Sequence, residues 1–206
     1  MAILSRFVLG IGILTLLLAA PPAAAGNVPL AEAVAEMVMG RDDAPVTMIE
    51  YSSLACPHCA AFHRDVLPKI KETYIDTGKV RLVYRDFPLG GLALVAAMVA
   101  RCGGREKYFG FIEVLFRSQA QWSRSDNPRR ELARVARFGG ISQKDFEACL
   151  VSEPLMTDIR ERAADAQQKL GIESTPTFII EGEKILGARP FEDFRDVIEK
   201  ALKKKR

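Results

Sequence analysis

Two cysteines separated by two residues, in the run Cys56-Pro57-His58-Cys59, are the side chains of this sequence best suited to chemistry. They follow the apolar segment 46–51 and open a helical pattern, which places the first sulfur at a helix N-terminus. Free N–H groups and the positive end of the helix dipole stabilise a thiolate there. His58 can also donate to that sulfur or carry charge beside it. The run therefore predicts a redox-active dithiol in which the pKa of Cys56 lies well below the free value of about 8.5.

The two sulfurs are expected to have different roles, because they lie at different depths in the helix. Cys56 is nearer to the exposed helix start and is assigned as the attacked nucleophile, whereas Cys59 would resolve the mixed disulfide. Stabilising the thiolate favours the reduced form and makes the disulfide a stronger oxidant. A passive structural disulfide is an alternative, but closing so short a loop removes little chain entropy.

A metal site is a second alternative, since zinc sites use the same Cys-x-x-Cys spacing. Its ligands would be Cys56, Cys59, His58 and His63. His58 shares the tight first turn with the thiols, and no second cluster of Cys and His residues completes a set of four ligands. We therefore predict no metal, and we interpret His63 as a structural or surface histidine.

Glu50 lies six residues before Cys56 in an otherwise apolar, strand-like segment. Burying an ionised carboxylate without a partner costs several kcal/mol, so a carboxylate at this position suggests a role in proton transfer. We predict that Glu50 accepts the proton of Cys59 as the resolving thiolate forms. The alternative is a strand end that is open to water.

The elements around these residues follow the order βαβ, a helical block, and ββα. The predicted strands are Val46–Tyr51, Val80–Tyr84, Thr177–Ile180 and Lys184–Leu186. The predicted helices are the apolar stripe 59–74, then Leu92–Cys102, Glu106–Ser118, Arg129–Phe138, Ser142–Val151, Leu155–Leu170 and 191–204. Pro68 should kink the first helix. The flanking βαβ and ββα pieces must share one sheet, because neither buries enough surface alone.

The chain has 206 residues, 49% apolar and 27% charged, which fits one globular domain or a domain with an insertion. In the first 25 residues Arg6 is the only charge, Phe7–Ala20 is an apolar run, and Ala23-Ala24-Ala25 offers a cleavage site. The apolar run is short for a bilayer span of roughly 20 residues, so this segment is predicted to be a cleaved signal peptide. The loss of Arg6 changes the net charge from +3 to +2. So small a charge indicates no nucleic-acid partner.

The mature chain resembles the DsbA family of thiol:disulfide oxidoreductases over roughly Gly40–Leu202. The most specific stretch is 40–63, with the Cys-x-x-Cys run, and the second is 174–177 around Thr175-Pro176. The resemblance implies an α/β, thioredoxin-like fold interrupted by an all-helical insertion. It also implies a cis bond before Pro176, in a loop that faces the dithiol and holds a substrate peptide as an added strand.

The resemblance bears on three further residues. The family places an acidic residue at the position of Glu50. Some members carry a second disulfide in the helical block, which here would join Cys102 and Cys149. Such a disulfide would stabilise the fold by roughly 4 kcal/mol. The alternative is that both residues are buried free thiols. Thr175 departs from the Val of many strongly oxidising members and is familiar among isomerase relatives.

The predicted function is donation of the Cys56–Cys59 disulfide to reduced cysteines of newly translocated proteins in the periplasm. No cofactor is expected, because the sulfur pair carries the two electrons. The resemblance implies a membrane quinone-linked reoxidase of the DsbB type as partner, and Thr175 keeps an isomerase or reductase of the same fold as the alternative. The predicted divisions are a signal peptide (1–25), a helical insertion (91–171) and two halves of the thioredoxin-like domain (26–90 and 172–206).

Overall fold

The computed structural model describes residues 24–25 and 28–205, so the predicted signal segment 1–25 lies outside the described residues except for two alanines. Its strands are β1 (Ala24–Ala25), β2 (Val28–Pro29), β3 (Met37–Met39), β4 (Val46–Ser52), β5 (Val80–Asp86), β6 (Thr177–Ile180) and β7 (Glu183–Leu186). Its helices are α1 (Leu30–Ala33), α2 (Pro57–Asp65), α3 (Leu67–Ile70), α4 (Gly91–Arg101), α5 (Gly104–Arg117), α6 (Gln119–Ser123), α7 (Pro128–Phe138), α8 (Gln143–Leu150), α9 (Glu153–Leu170) and α10 (Phe191–Lys204), with a π-helical turn at Lys71–Ile75. Of these described helices, none combines the length and hydrophobicity that a bilayer crossing requires.

Five strands form one sheet in the order β3-β5-β4-β6-β7. β4 and β5 are parallel, with Val46 opposite Val80 and Ser52 opposite Asp86, and α2 and α3 connect them. β6 pairs antiparallel with the other side of β4, and β7 pairs antiparallel with β6. β4 is therefore the middle strand of the sheet, in accord with the apolar character of the segment 46–51. The carboxyl end of this central strand leads into the loop that begins α2.

The helix that follows β4 is interrupted where a kink was predicted. α2 and α3 are separate helices that meet at Val66, because Pro68 has no N–H for the preceding turn and its ring crowds the carbonyl there. Phe62 of α2 packs on Phe178 of β6 and Phe194 of α10, with ring centroids 4.4 and 5.3 Å away. This aromatic cluster holds α2 against the sheet.

Six helices, α4–α9, lie between β5 and β6 in sequence. They supply most of one apolar core, which also includes Cys56, Cys59 and Tyr84. Tyr108 and Trp122 are buried in it, and the Trp122 Nε1 donates to the Leu115 carbonyl at 2.8 Å. Cys102, just after α4, and Cys149 in α8 are buried and joined by a disulfide, the pairing that the family resemblance implied.

A buried ion pair connects these helices to the sheet. The Arg101 Nε of α4 donates to Asp86 Oδ2 at 2.6 Å, and the Tyr108 hydroxyl donates to the same carboxylate at 3.2 Å. Arg101 also donates to the carbonyls of Ala33 and Ala35. The end of β5 is thereby tied to α4, α5 and the α1 region at once.

Candidate active site

The Cys-x-x-Cys run lies at the junction of β4 and α2. Cys56 is the N-cap residue of α2, with φ −84° and ψ 120°, and Pro57 takes the first helical position, where its missing N–H leaves no donor unpaired. Cys56 is 8% exposed, whereas Cys59, one turn into the helix, is fully buried. Both are free thiols in this structure.

The surroundings of Cys56 favour its thiolate. The contact that lowers the pKa of Cys56 most is a hydrogen bond from the Cys59 thiol. The Thr175 side chain and the backbone N–H groups of His58 and Cys59 lower it further, and together these contacts outweigh burial, which raises it. These contacts lower the pKa of Cys56 from 9.0 to about 5. Cys56 is therefore mostly ionised at neutral pH.

The surroundings of Cys59 act in the opposite direction. Burial is the largest cause and raises the pKa of Cys59 far above 9.0, and the neighbouring Cys56 raises it further. Two thiols one helical turn apart thus differ in which form they favour, with Cys56 ionised and Cys59 protonated. Such a pair can release Cys56 readily as a leaving group while Cys59 holds a proton.

The loop before β6 closes over the nucleophile. The Thr175–Pro176 peptide bond is cis, as the resemblance implied, and both residues are buried. The Thr175 carbonyl oxygen lies 3.3 Å from Cys56 Sγ, and the buried Thr175 hydroxyl has no partner among the described residues other than that sulfur. The Pro176 carbonyl accepts from the Gly187 N–H at 2.8 Å, which joins this loop to the end of β7.

Glu50 is fully buried in β4 and is paired with His63 of α2. The His63 Nε2 lies 2.9 Å from Oε1 and 3.2 Å from Oε2 of the carboxylate. Glu50 is therefore not at a strand end open to water. Sequence reasoning did not foresee this pair, although His63 follows Cys59 by four residues and so lies on the same face of the helix as that buried thiol.

The remaining residues of the motif lie at the surface. Pro57 and His58 are both exposed on the first turn of α2, beside the nucleophile. The predicted contribution of the His58 imidazole to the Cys56 thiolate stays a prediction, because the contact that is present comes from its backbone N–H. Within the described part of the chain, no group of three or more His, Cys, Asp or Glu side chains is placed to hold a metal ion.

Gln119 is a residue of the site that no sequence signal indicated. Its Nε2, at the start of α6, donates to the carbonyl of Leu54 at 2.7 Å and to that of Cys56 at 3.0 Å. The Cys56 carbonyl also accepts from the Ala60 N–H in the first turn of α2. The helices between β5 and β6 therefore hold the loop that carries Cys56.

Known proteins share both the sequence pattern and this fold. A family model described as thioredoxin matches residues 32–200. The crystal structure of Wolbachia pipientis alpha-DsbA1 superposes with a TM-score of 0.78 at 37% identity, covering 82% of this chain and 92% of that one. The chain belongs to the DsbA branch of the thioredoxin family. The predicted α/β, thioredoxin-like fold is thereby confirmed.

Curated relatives of this family member carry names from disulfide chemistry. A Rickettsia felis protein, provisionally named a protein-disulfide oxidoreductase, is 30% identical over 83% of this chain and 62% of its own length. The disulfide bond formation protein D of Bacillus subtilis is 29% identical over 82% of this chain and 78% of its own length. The chain thus spans less than two thirds of the Rickettsia relative.

Proposed function

We propose that this chain is an exported, periplasmic thiol:disulfide oxidoreductase that donates its Cys56–Cys59 disulfide to reduced cysteines of newly translocated proteins. The observation that carries the proposal is the contrast between its two thiols. The pKa of Cys56 is lowered to about 5 at the start of α2, and burial raises that of Cys59. A pair that prefers to be reduced, with one sulfur ionised, gives up its disulfide readily.

The reaction consists of two exchanges through a mixed disulfide. A substrate thiolate attacks Cys56 Sγ, a bond forms between these sulfurs, and the Cys56–Cys59 bond breaks so that Cys59 leaves and takes up a proton. The second substrate thiolate then attacks the first substrate sulfur, and Cys56 leaves as a thiolate. The substrate loses two electrons to the sulfur pair. One of its two thiol protons ends on Cys59, and the other is released to solvent.

We assign Glu50 as the group that exchanges a proton with Cys59. The carboxylate is fully buried in the strand that leads to the dithiol, and the His63 imidazole is its hydrogen-bonding partner. During donation of the disulfide Glu50 supplies a proton to the departing Cys59 sulfur. During reoxidation it accepts that proton, because Cys59 must be ionised before it can attack.

The loop of Thr175 and Pro176 is the proposed substrate-binding element. Its position against the nucleophile, 3.3 Å from the Cys56 sulfur to the Thr175 carbonyl, suits a peptide added as an extended strand beside β6. Main-chain hydrogen bonds would hold many different sequences in the same way. That property suits an enzyme that acts on many exported proteins.

Export and reoxidation complete the proposal. The apolar N-terminal segment with its small-residue end supports export by a cleaved signal peptide. A membrane quinone-linked reoxidase of the DsbB type would restore the Cys56–Cys59 disulfide. Cells without that partner should accumulate the reduced protein.

The test uses two matched cysteine variants and a reduced peptide with two cysteines. The oxidised wild-type protein should oxidise the peptide, and Cys56→Ser should have no turnover. Cys59→Ser should form a stable mixed disulfide with a small oxidant such as an aromatic disulfide, because Cys56 attacks but nothing resolves the product. Dithiol oxidation that survives in Cys56→Ser would refute the proposal.

A disulfide isomerase or reductase of the same fold is the second candidate, favoured by the threonine at position 175. Its chemistry uses the same sulfurs but requires that they be kept reduced. The redox state of Cys56 and Cys59 in the cellular compartment separates the two functions. A mostly oxidised pair, trapped by acid and counted by alkylation, supports donation, and a mostly reduced pair supports isomerisation.

A further inference from the structure

His63 connects the buried carboxylate of Glu50 to a groove whose lining includes neither Cys56 nor Thr175. Its Nε2 faces Glu50, and 7% of its side chain remains exposed. The groove lies between α2–α3 and α5 and has a volume of about 550 Å³. Besides His63, it is lined mainly by apolar side chains, among them Leu67, Phe109 and Phe116. The imidazole thus lies between a carboxylate without exposed surface and a space open to water.

The front of the site offers Glu50 little access to solvent. Cys59 is fully buried, Cys56 is 8% exposed, and Thr175 lies against the nucleophile. A substrate joined to Cys56 in the mixed disulfide would cover this opening further. Yet this is the stage at which Cys59 leaves and must receive a proton. A second route for protons, away from the bound substrate, would therefore serve the reaction.

We propose that His63 carries protons between Glu50 and the solvent of the groove while Cys59 gains or loses its proton. This inference rests on the proposed function. When the Cys59 thiolate departs, Glu50 gives it a proton, and His63 restores that proton through Nε2. The imidazole then takes a proton from groove water at Nδ1 and becomes the Nδ1–H tautomer. In reoxidation a proton moves from Cys59 to Glu50 and on to Nε2 of His63, while Nδ1 releases its proton to water, which restores the starting tautomer.

The packing around His63 suits a relay. Its ring lies 4.3 Å from that of Phe116, and the rings of Phe62 and Tyr84 approach it edge-on at 5.6 and 5.9 Å. These contacts hold the imidazole in one orientation, so that Nε2 stays on the carboxylate. Tyr84 is also the residue opposite Glu50 in β5, and burial raises the pKa of its hydroxyl well above 10.0. Tyr84 therefore remains neutral and does not compete for the proton.

The charged groups that line the groove are paired with other residues. Arg64 of α2 bonds to Asp65, and Lys71 of the π-helical turn bonds to Asp76. On α5, Arg117 bonds to Glu113 at 2.6 Å. Each of these ion pairs contains both signs of charge and therefore adds no net charge to the groove. Glu50 is the ionisable group in direct contact with the imidazole.

The test compares single-turnover oxidation of a reduced two-cysteine peptide by the oxidised wild-type protein and by His63→Gln across pH 5–9. Glutamine keeps a hydrogen bond to Glu50 but cannot relay a proton. We expect His63→Gln to be slower by about tenfold or more, since a positioned acid or base contributes about 10²–10⁴-fold. The pH profile should also lose one inflection. Glu50→Gln should show the same profile, and the double variant should be no slower than Glu50→Gln alone.

Two further variants separate a relay from a purely structural role. His63→Ala opens the site to the groove, so added imidazole should restore its rate in proportion to imidazole concentration. Arg117→Gln removes an exposed charge from the same groove and should keep the wild-type rate and profile. Wild-type rates in His63→Gln at every pH, or a His63→Ala rate that imidazole leaves unchanged, would overturn the relay. If the relay were overturned in this way while Cys56→Ser still lost all turnover, the proposed function would stand without the relay.

Discussion

The stability of the reduced protein should depend on pH through the Cys56 thiolate. Its pKa is about 5 in the folded protein and 9.0 as an ordinary thiol. A group with a lowered pKa stabilises the fold fully above about pH 9, and this contribution is lost as the pH falls to about 5. Between these two pH values the contribution of the thiolate to the free energy of unfolding rises by about 1.36 kcal/mol per pH unit. At pH 7 the thiolate therefore contributes at most about 2.7 kcal/mol, and less to the extent that solvent screens the sulfur.

The measurement is urea unfolding of the reduced wild-type protein and of Cys56→Ala at intervals from pH 5 to pH 8. Subtracting the free energy of unfolding of Cys56→Ala from that of the wild-type protein removes the contributions of the other titrating groups. The difference should rise steadily with pH. Cys59 does not disturb this range, because its raised pKa changes stability only above the unfolded thiol value. The oxidised wild-type protein has no thiolate and should lack the added slope. A wild-type minus Cys56→Ala difference that stays level over this range would refute the reasoning.

Two other predictions concern the fold that supports the site. Replacing Cys102 and Cys149 by alanine removes a link between residues 47 apart in sequence. This should lower the free energy of unfolding by about 4 kcal/mol, while peptide oxidation continues. Equal urea midpoints for the variant and the wild-type protein would contradict this prediction. Arg101→Met leaves the buried Asp86 carboxylate without its cation and should cost about 3–5 kcal/mol. Adding Asp86→Leu should recover much of that loss in the same unfolding assay, and a double variant less stable than Arg101→Met would contradict the role of the ion pair.

Most of the regular elements could be predicted because their sequences are long and periodic. The strand 177–180 and the helix 191–204 have the predicted bounds, and Pro68 interrupts its helix as expected. β3 was missed because three residues, Met37–Met39, are too few to show an alternating pattern. α6 was missed because its five residues, Gln119–Ser123, are too few to show a helical period.

The site was predictable where its chemistry is local in sequence. The Cys-x-x-Cys run and the start of α2 are neighbours along the chain, so a lowered pKa of Cys56 could be predicted, whereas the contribution of Thr175 comes from a loop distant in sequence. The pairing of Glu50 with His63 depends on how α2 lies over β4, and periodicity does not fix that geometry. The two hydrogen bonds of Gln119 bring together residues more than sixty positions apart. A single glutamine at a helix start carries no pattern that would reveal such a contact.

The amide of Gln119 has a consequence for how this family can diversify. Since that amide donates to the carbonyls of Leu54 and Cys56, the turn between α5 and α6 helps to fix the position of the Cys56 sulfur. A homologue could therefore retune its oxidising strength by reshaping that distant turn while its cysteine motif stays identical. Comparisons restricted to the dipeptide between the cysteines would overlook this second source of variation.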